Sequence, residues 1–371
     1  VVLQFAFSMV LMVCTLIIGQ QNRYVQKKDV GFIKESIFSF KVKPPSNFFG
    51  EQPSYAQTLQ TELERESSVI KVSSTSQPIY NVTSTHTGSL DWEGRAPDFE
   101  PRVAQFSIDE TFPEVFDVEL AEGRWFQPEY AMDSANVILN ETAVKQFGIE
   151  NPIGQRFSFR GADGQIVGVV KDFHYKSIHD PIAPMVIFRD AGWLRSFYVR
   201  FQTEQTAEAL AAAQKLLAKH NPDLPFEPVF ISEAYAGMYA KEAKTNRLFQ
   251  LFAFLAIFIS CLGLFGLITF HTERRGKEIG IRKILGASIA SIIGLLGREF
   301  LLLIGISVFV AIPIAWLAME SWLENFAYKI SIRWVFFVGG AFILLVIASL
   351  TVCMQAAKAA LVNPIERLRS E

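Results

Sequence analysis

Four apolar runs, Val1 to Gly19, Leu248 to Phe270, Ile289 to Met319 and Trp334 to Met354, are each long enough for the ~20 residues that carry a helix across a bilayer. Lipid offers backbone groups no partner, so such runs must be helices whose N–H and C=O groups bond internally. The chain therefore reads as a membrane protein with four transmembrane helices. Residues 21–245, between the first and second runs, are of mixed composition and have to fold in water. The balance agrees with this division: half of the residues are apolar and the mean hydropathy is +0.24, yet 19% are charged.

Charge sets the direction of the helices. The segment His271 to Ser288, HTERRGKEIGIRKILGAS, lies between the second and third runs with five basic and two acidic residues. By the positive-inside tendency it faces the cytoplasm. Alternation then puts residues 21–245 outside, the short loop Glu320 to Arg333 outside, and both chain ends inside. Trp316, Trp322, Tyr328 and Trp334 sit where interfacial aromatic anchors belong. Pro313 interrupts the third run, and Arg298 with Glu299 leaves open whether 288–297 enters the membrane or runs along its surface. The expected limits are 1–20, 246–270, 289–319 and 334–356 for the four helices, with 271–288 and the tail 357–371 cytoplasmic.

Residues 21–245 hold 23 basic and 30 acidic side chains, a net −7, while the remainder is at +5. No basic face is available to meet phosphates, which excludes nucleic acid as a partner. The three cysteines, Cys14, Cys261 and Cys353, fall in three different apolar runs, so residues 21–245 can form neither a disulfide nor a thiolate metal site. The chain opens on VVLQFAFSMVLMVC with no basic flank, unlike a signal peptide, and is expected to lack residues that precede Val1.

The outer segment has an approximate repeat at its ends. Ser36 to Val42 reads as a strand, Ser54 to Ser67 as a helix and Val69 to Thr75 as a strand; Ser196 to Phe201, Glu204 to His220 and Phe226 to Ile231 repeat the pattern. Two β-α-β units imply a split ferredoxin-like subdomain formed by 36–75 and 196–231. The insertion 76–189 is mostly β, with strands at Val137 to Leu139, Arg156 to Phe159 and Gln165 to Lys171, a hairpin turn at Gly161 to Gly164 and a short helix Glu141 to Phe147 before Gly148.

Catalytic patterns are thin. Lys171, Asp172, Phe173, His174 and Tyr175, with His179 and Asp180 nearby, form the densest polar cluster and could supply a metal or acid–base site. A strand end followed by a solvated turn accounts for them better. Asp91 to Arg95 invite the same reading, and the acids Glu62, Glu64 and Glu66 read as a solvated helix face. No G-x-x-x-x-G-K-[ST] occurs, so the chain has no usual cradle for nucleotide phosphates.

RRGKEIGIRKILGAS, the later PIAW and WLENFAYKI and the tail AALVNPIERLRSE resemble the FtsX-like permeases of ABC transporters. WEGRAPDFE, LAEGRWF, LNETAVKQFG, NPIGQRF and GVVKDFHYKSIHDPIAP resemble the MacB-like periplasmic core domain, made of Porter and Sabre subdomains. The opening VVLQFAFSMVLMV with QNRYVQKKDVGF is similar to the second half of duplicated, eight-helix permeases of Bacteroidetes. The resemblance implies a bacterial inner-membrane, multi-pass permease subunit without catalysis of its own, with a large periplasmic domain. It further implies a separate cytoplasmic ATPase that binds ATP and Mg, and a second permease copy or the other half of a duplicated chain. A periplasmic adaptor or outer-membrane channel belongs to some members.

The implied ATPase-coupling helix maps onto Glu273, Arg274, Arg275, Glu278, Ile279, Gly280, Arg282, Lys283, Gly286 and Ala287. Its chemistry is legible in the residues themselves. Glu278 and Arg282 are four apart in the order that favours a helix pair, Ile281, Ile284 and Leu285 make an apolar stripe, and Gly286 suits a helix end. Two other readings stand beside it: a basic amphipathic helix on lipid headgroups, and a membrane-anchored sensor whose outer domain signals inward. The sensor lacks a cytoplasmic output domain.

Overall fold

The computed structural model describes residues 2–43, 52–275, 278, 281, 282, 285 and 289–361. They divide into two units, Val1–Lys27 with Tyr239–Glu371, and Lys28–Met238.

The first unit is built of four long helices: α1 (Val2–Lys27), α7 (Ala240–Arg274), α8 (Ile289–Leu323) and α9 (Trp334–Leu361). Each contains a window long and apolar enough to cross a membrane. Half of the α1 window is buried, against 22% for α7 and α8 and 33% for α9, so α1 is the helix around which the others pack. Phe5, Met9, Val13 and Ile17 recur every four residues along it and meet Leu264, Ile304, Ala311, Ala315, Leu344 and Ala348. Small residues permit this closeness; a Cβ on Gly340 would stand 3.2 Å from Val13. Buried hydroxyls are answered inside the bundle, Ser8 by Ser260 at 3.0 Å and Ser307 by Leu303 O at 2.7 Å.

Two helix limits differ from expectation. α7 starts at Ala240 and runs on to Arg274, because AKEAKTNR and HTER are good helix formers and extending a formed helix adds a bond for each residue fixed. α8 is continuous through Pro313 and runs on to Leu323, past the expected end at Met319.

In the second unit, β1 (Ile37–Lys41), α2 (Gln52–Leu63), β2 (Val69–Thr75), β11 (Ser196–Phe201), α5 (Thr206–His220) and β12 (Val229–Phe230) form an antiparallel sheet of order β12-β1-β11-β2. Numbered within the repeat this is 4-1-3-2, the split β-α-β arrangement. Phe38, Phe40, Val72, Phe197 and Val199 on one face pack against Leu59 and Leu63 of α2 and Ala209, Ala213 and Leu217 of α5. The last strand is shorter than Phe226 to Ile231. Pro228 cannot donate to a ladder, and Ile231 already opens the helix α6 (Ile231–Gly237).

The insertion carries β3 (Thr85–His86), β4 (Leu90–Trp92), β5 (Val103–Ser107), α3 (Phe112–Phe116), β6 (Leu120–Gly123), β7 (Val137–Asn140), α4 (Glu141–Phe147), β8 (Arg156–Phe159), β9 (Ala162–Val170) and β10 (Met185–Phe188). These strands make one mixed sheet of order β3-β5-β10-β7-β9-β8-β4, with β6 beside β9. Its hairpin turn is Arg160–Gly161, not Gly161 to Gly164: both turn residues have positive φ, 56° and 81°, and Phe159 pairs with Ala162. Gly164 lies inside β9 because a Cβ there would stand 2.0 Å from Ala135 O.

The other face of the four-stranded sheet is covered by aromatics from the insertion and its flanks. Tyr198 packs on Phe116 with centroids 4.9 Å apart, and Phe32 is edge-on to Phe116, Phe173 and Tyr235. This corrects the reading of 171–175 as a solvated turn, since Phe173, His174 and Tyr175 are 1%, 5% and 3% exposed. The acids of α2 are likewise engaged rather than merely solvated: Glu62 bonds Lys219 and His220, and Glu64 accepts from Val72 N at 3.2 Å.

The outer edge of β2 is closed by one antiparallel bridge, Thr75 with Ile108, and otherwise by side chains. Gln60 and Thr111 donate to Val72 O, Asp109 N donates to Ser74 O, and Asp109 accepts from Ser74 N. The Asp109 carboxylate also takes Ser73 Oγ at 2.7 Å, Ser74 Oγ at 2.8 Å, Thr111 Oγ1 at 2.9 Å and Gln60 Nε2 at 2.6 Å. Asp109→Ala is expected to strip these donors of their acceptor and to cost about 3 kcal/mol, read as a lower unfolding midpoint of the full chain in lipid discs. An unchanged midpoint would contradict the role given to this carboxylate.

His174 predicts a pH dependence. Burial first, and then the positive charge of Lys28, lower its pKa to about 4. Between that value and the ordinary ~6.5 the unfolded chain binds a proton that the folded chain refuses, so acidification through this window removes up to about 3 kcal/mol of stability. Asp109, which burial pushes up to about 6, has the opposite sign over part of the window. Comparison with His174→Gln isolates the histidine: the variant is expected to lose less stability than wild type between pH 7 and pH 4.5.

Candidate functional site

Glu273 and Arg274 form the last turn of α7, and Arg275 is its cap, with its N–H on His271 O at 3.0 Å. The expected cytoplasmic helix 271–288 therefore begins as a continuation of a membrane helix, and α7 ends where Gly276 follows in sequence, a residue type on which helices commonly stop. The Arg274 guanidinium lies over the Phe270 ring at 5.5 Å, and Thr272, 4% exposed, bonds back to Ile268 O. The basic end of α7 thus stands at the negative pole of its own helix dipole, a favourable placement.

Farther along, Arg282 Nη2 meets Glu278 Oε1 at 2.8 Å, the i,i+4 pair anticipated from spacing. Leu285 N bonds Ile281 O at 3.0 Å, a helical turn. Ile281 and Leu285 therefore share one face next to the charged pair, and they are 53% and 81% exposed. Ile279, Gly280, Lys283, Gly286 and Ala287 lie outside the described residues, as does Ile284 of the apolar stripe. The site offers two exposed apolar side chains flanked by charge, a surface suited to a protein partner. Among the described residues, no three His, Cys, Asp or Glu side chains stand close enough to hold a metal ion.

One polar residue escaped the sequence reading. Gln21, at the outer part of α1, is wholly buried; it follows the apolar run and carries no charge, so nothing in the pattern distinguished it from its neighbours Gln20 and Asn22.

A family model described as the MacB-like periplasmic core domain matches residues 5–216, and one described as the FtsX-like permease C-terminal matches residues 250–364. The chain belongs to the MacB/FtsX-like ABC transporter permeases. It is 25% identical over 278 residues to the uncharacterized ABC transporter permease YknZ of Bacillus subtilis, covering 71% of this chain and 69% of that one. It is 27% identical over 207 residues to the pyoverdine export ATP-binding/permease protein PvdT of Pseudomonas aeruginosa, covering 51% of this chain and 30% of PvdT, so it spans less than a third of that relative. The crystallised periplasmic region of MacB from Actinobacillus actinomycetemcomitans aligns with 56% of this chain and 94% of its own, at 16% identity and a TM-score of 0.39. Membership makes the chain a permease component with a periplasmic domain and implies an ATPase partner in the transporter.

The Glu278–Arg282 pair is itself worth little. Both side chains are 45% exposed, so solvent screens them. Glu278→Gln is expected to change the unfolding midpoint by the equivalent of less than about 0.5 kcal/mol in lipid discs. A larger loss would mean that the pair supports the fold rather than a surface.

Proposed function

We propose that this chain is the permease subunit, or half of one, of a bacterial inner-membrane ABC transporter, and that the segment from Glu273 to Ala287 receives force from a separate cytoplasmic ATPase. The observation that carries the reading is the exposed pair Ile281 and Leu285 beside Glu278–Arg282. Exposed apolar residues on a charged cytoplasmic segment cost solvation until a partner covers them. ATP and Mg bind to the ATPase, and closure of two ATPases moves α7. A second permease copy, or the other half of a duplicated chain, completes the pair. Movement of α7 and α1, the two helices that flank the outer domain in sequence, changes that domain's state. The output is export of a peptide, antibiotic or lipoprotein from the outer side of the membrane, or activation of a partner there.

A nucleotide-driven change requires two states that the ATPase binds differently, so surface loss at 281 and 285 must weaken both docking and coupling. The full-length permease is co-purified with its partner ATPase and assayed for hydrolysis in lipid discs. Ile281→Ser with Leu285→Ser is expected to weaken association at least tenfold, in line with roughly 1.5 kcal/mol or more for each apolar side chain denied burial, while the unfolding midpoint stays put. An unchanged complex with unchanged hydrolysis would remove the coupling assignment.

A further inference from the structure

The loop after α8 crosses the outer end of the membrane unit as an extended segment. From Tyr328 to Arg333 the residues alternate between half-buried and exposed, and Ile330 and Ile332 pack against the helix core. An extended segment lying on a helix has no strand to bond with, yet its inward-facing backbone groups have left water. Gln21 of α1 supplies the answer. Its Nε2 donates to Tyr328 O at 2.9 Å, and its Oε1 accepts from Ile330 N at 2.9 Å. The C=O of one residue and the N–H two places on are the groups that a parallel β partner engages. One carboxamide therefore imitates a strand residue opposite Lys329.

We infer that Gln21 is a positioning residue that clamps the loop between α8 and α9 onto α1, so that the first helix and the α8–α9 pair are held as one body at the outer membrane surface. The geometry is selective. A carboxamide both donates and accepts at fixed spacing, which no hydroxyl, carboxylate or apolar side chain of that reach can do. Around the clamp, aromatics tie the helices that carry the loop, with Trp316 of α8 on Phe337 of α9 at 5.7 Å, and Trp322 of α8 on Phe326 of the loop at 4.7 Å. These contacts fix the ends of the loop, whereas Gln21 fixes its middle. The inference concerns the membrane unit alone and stands whether or not an ATPase docks on the cytoplasmic side.

The test uses the full chain in lipid discs without nucleotide. Amide exchange is followed in the peptide spanning 326–333, and spin labels at Arg23 and Lys329, with Cys14, Cys261 and Cys353 replaced by serine, report the spacing of α1 and the loop. Gln21→Leu keeps the bulk but loses both bonds, so exchange in that peptide should rise about tenfold, the factor that ~1.4 kcal/mol represents, and the distance distribution should broaden. Gln21→Glu can accept from Ile330 N but can donate to Tyr328 O only when protonated, so its protection should return on acidification. Unchanged exchange in Gln21→Leu, an unchanged distance distribution, or pH-independent behaviour of Gln21→Glu would each overturn the inference. A variant that failed to fold would be replaced by the Gln21→Glu titration, which probes the same bonds within one protein.

Discussion

Polar groups withdrawn from water are costly unless they find partners, and much of the architecture follows from where the chain supplies them. In the membrane unit the helices satisfy their own backbones, leaving only side chains and helix ends to be matched. Ser8 with Ser260 and Ser307 with Leu303 O are examples of the first, and Gln21 supplies partners to the loop after α8. In the outer unit the same demand falls on β2, whose free edge is closed by Gln60, Asp109 and Thr111. An exposed edge of that kind would invite pairing with another chain. Closing it with side chains drawn from α2 and from the insertion also ties the four-stranded sheet to the sequence that interrupts it.

The candidate functional segment is different in kind, because there the chain leaves surface unanswered. Ile281 and Leu285 stand in the open beside a pair of charges that contribute little to stability. A transmitter needs such a surface, since the favourable contact must form with the partner rather than within the fold. Where Asp109 and Gln21 hold parts of this chain together, 281 and 285 are free to hold something else. On the proposed function, the contrast separates the groups that hold the chain together from those offered to the ATPase.

Much of the fold was legible before any coordinates. Four apolar runs of bilayer length, the β-α-β repeat at the ends of the outer segment, the short helix ahead of Gly148 and the i,i+4 pair all rest on local periodicity, which a sequence carries directly. The failures have a common origin in tertiary context. Phe173 to Tyr175 look like a polar turn because Lys171, Asp172 and Lys176 surround them, but all three are buried, and Phe32, far off in sequence and itself packed on Tyr235, covers Phe173. Gly164 looked like part of a turn, whereas the backbone of Ala135 demands a glycine within a strand. Glu62 and Glu64 looked solvated because their partners, Lys219, His220 and Val72, are set by packing rather than by helix spacing. Gln21 gave no signal, since a residue that mimics a strand can be recognised only once the loop is laid beside it. In the segment 271–288 the Glu278–Arg282 pair follows from spacing, while the continuation of α7 through Arg274 does not, because propensity alone does not fix a helix end.

The most direct test of the central claim is a site-specific photo-crosslink in cells that contain the transporter's ATPase. A photoreactive residue is placed at Glu273, on the cytoplasmic end of α7, or at Lys329, on the outer loop. The account predicts capture of the ATPase from 273 and none from 329. Capture from 329, or silence at 273 while the permease and its ATPase co-purify, would contradict both the orientation of the chain and the assignment of force to this segment.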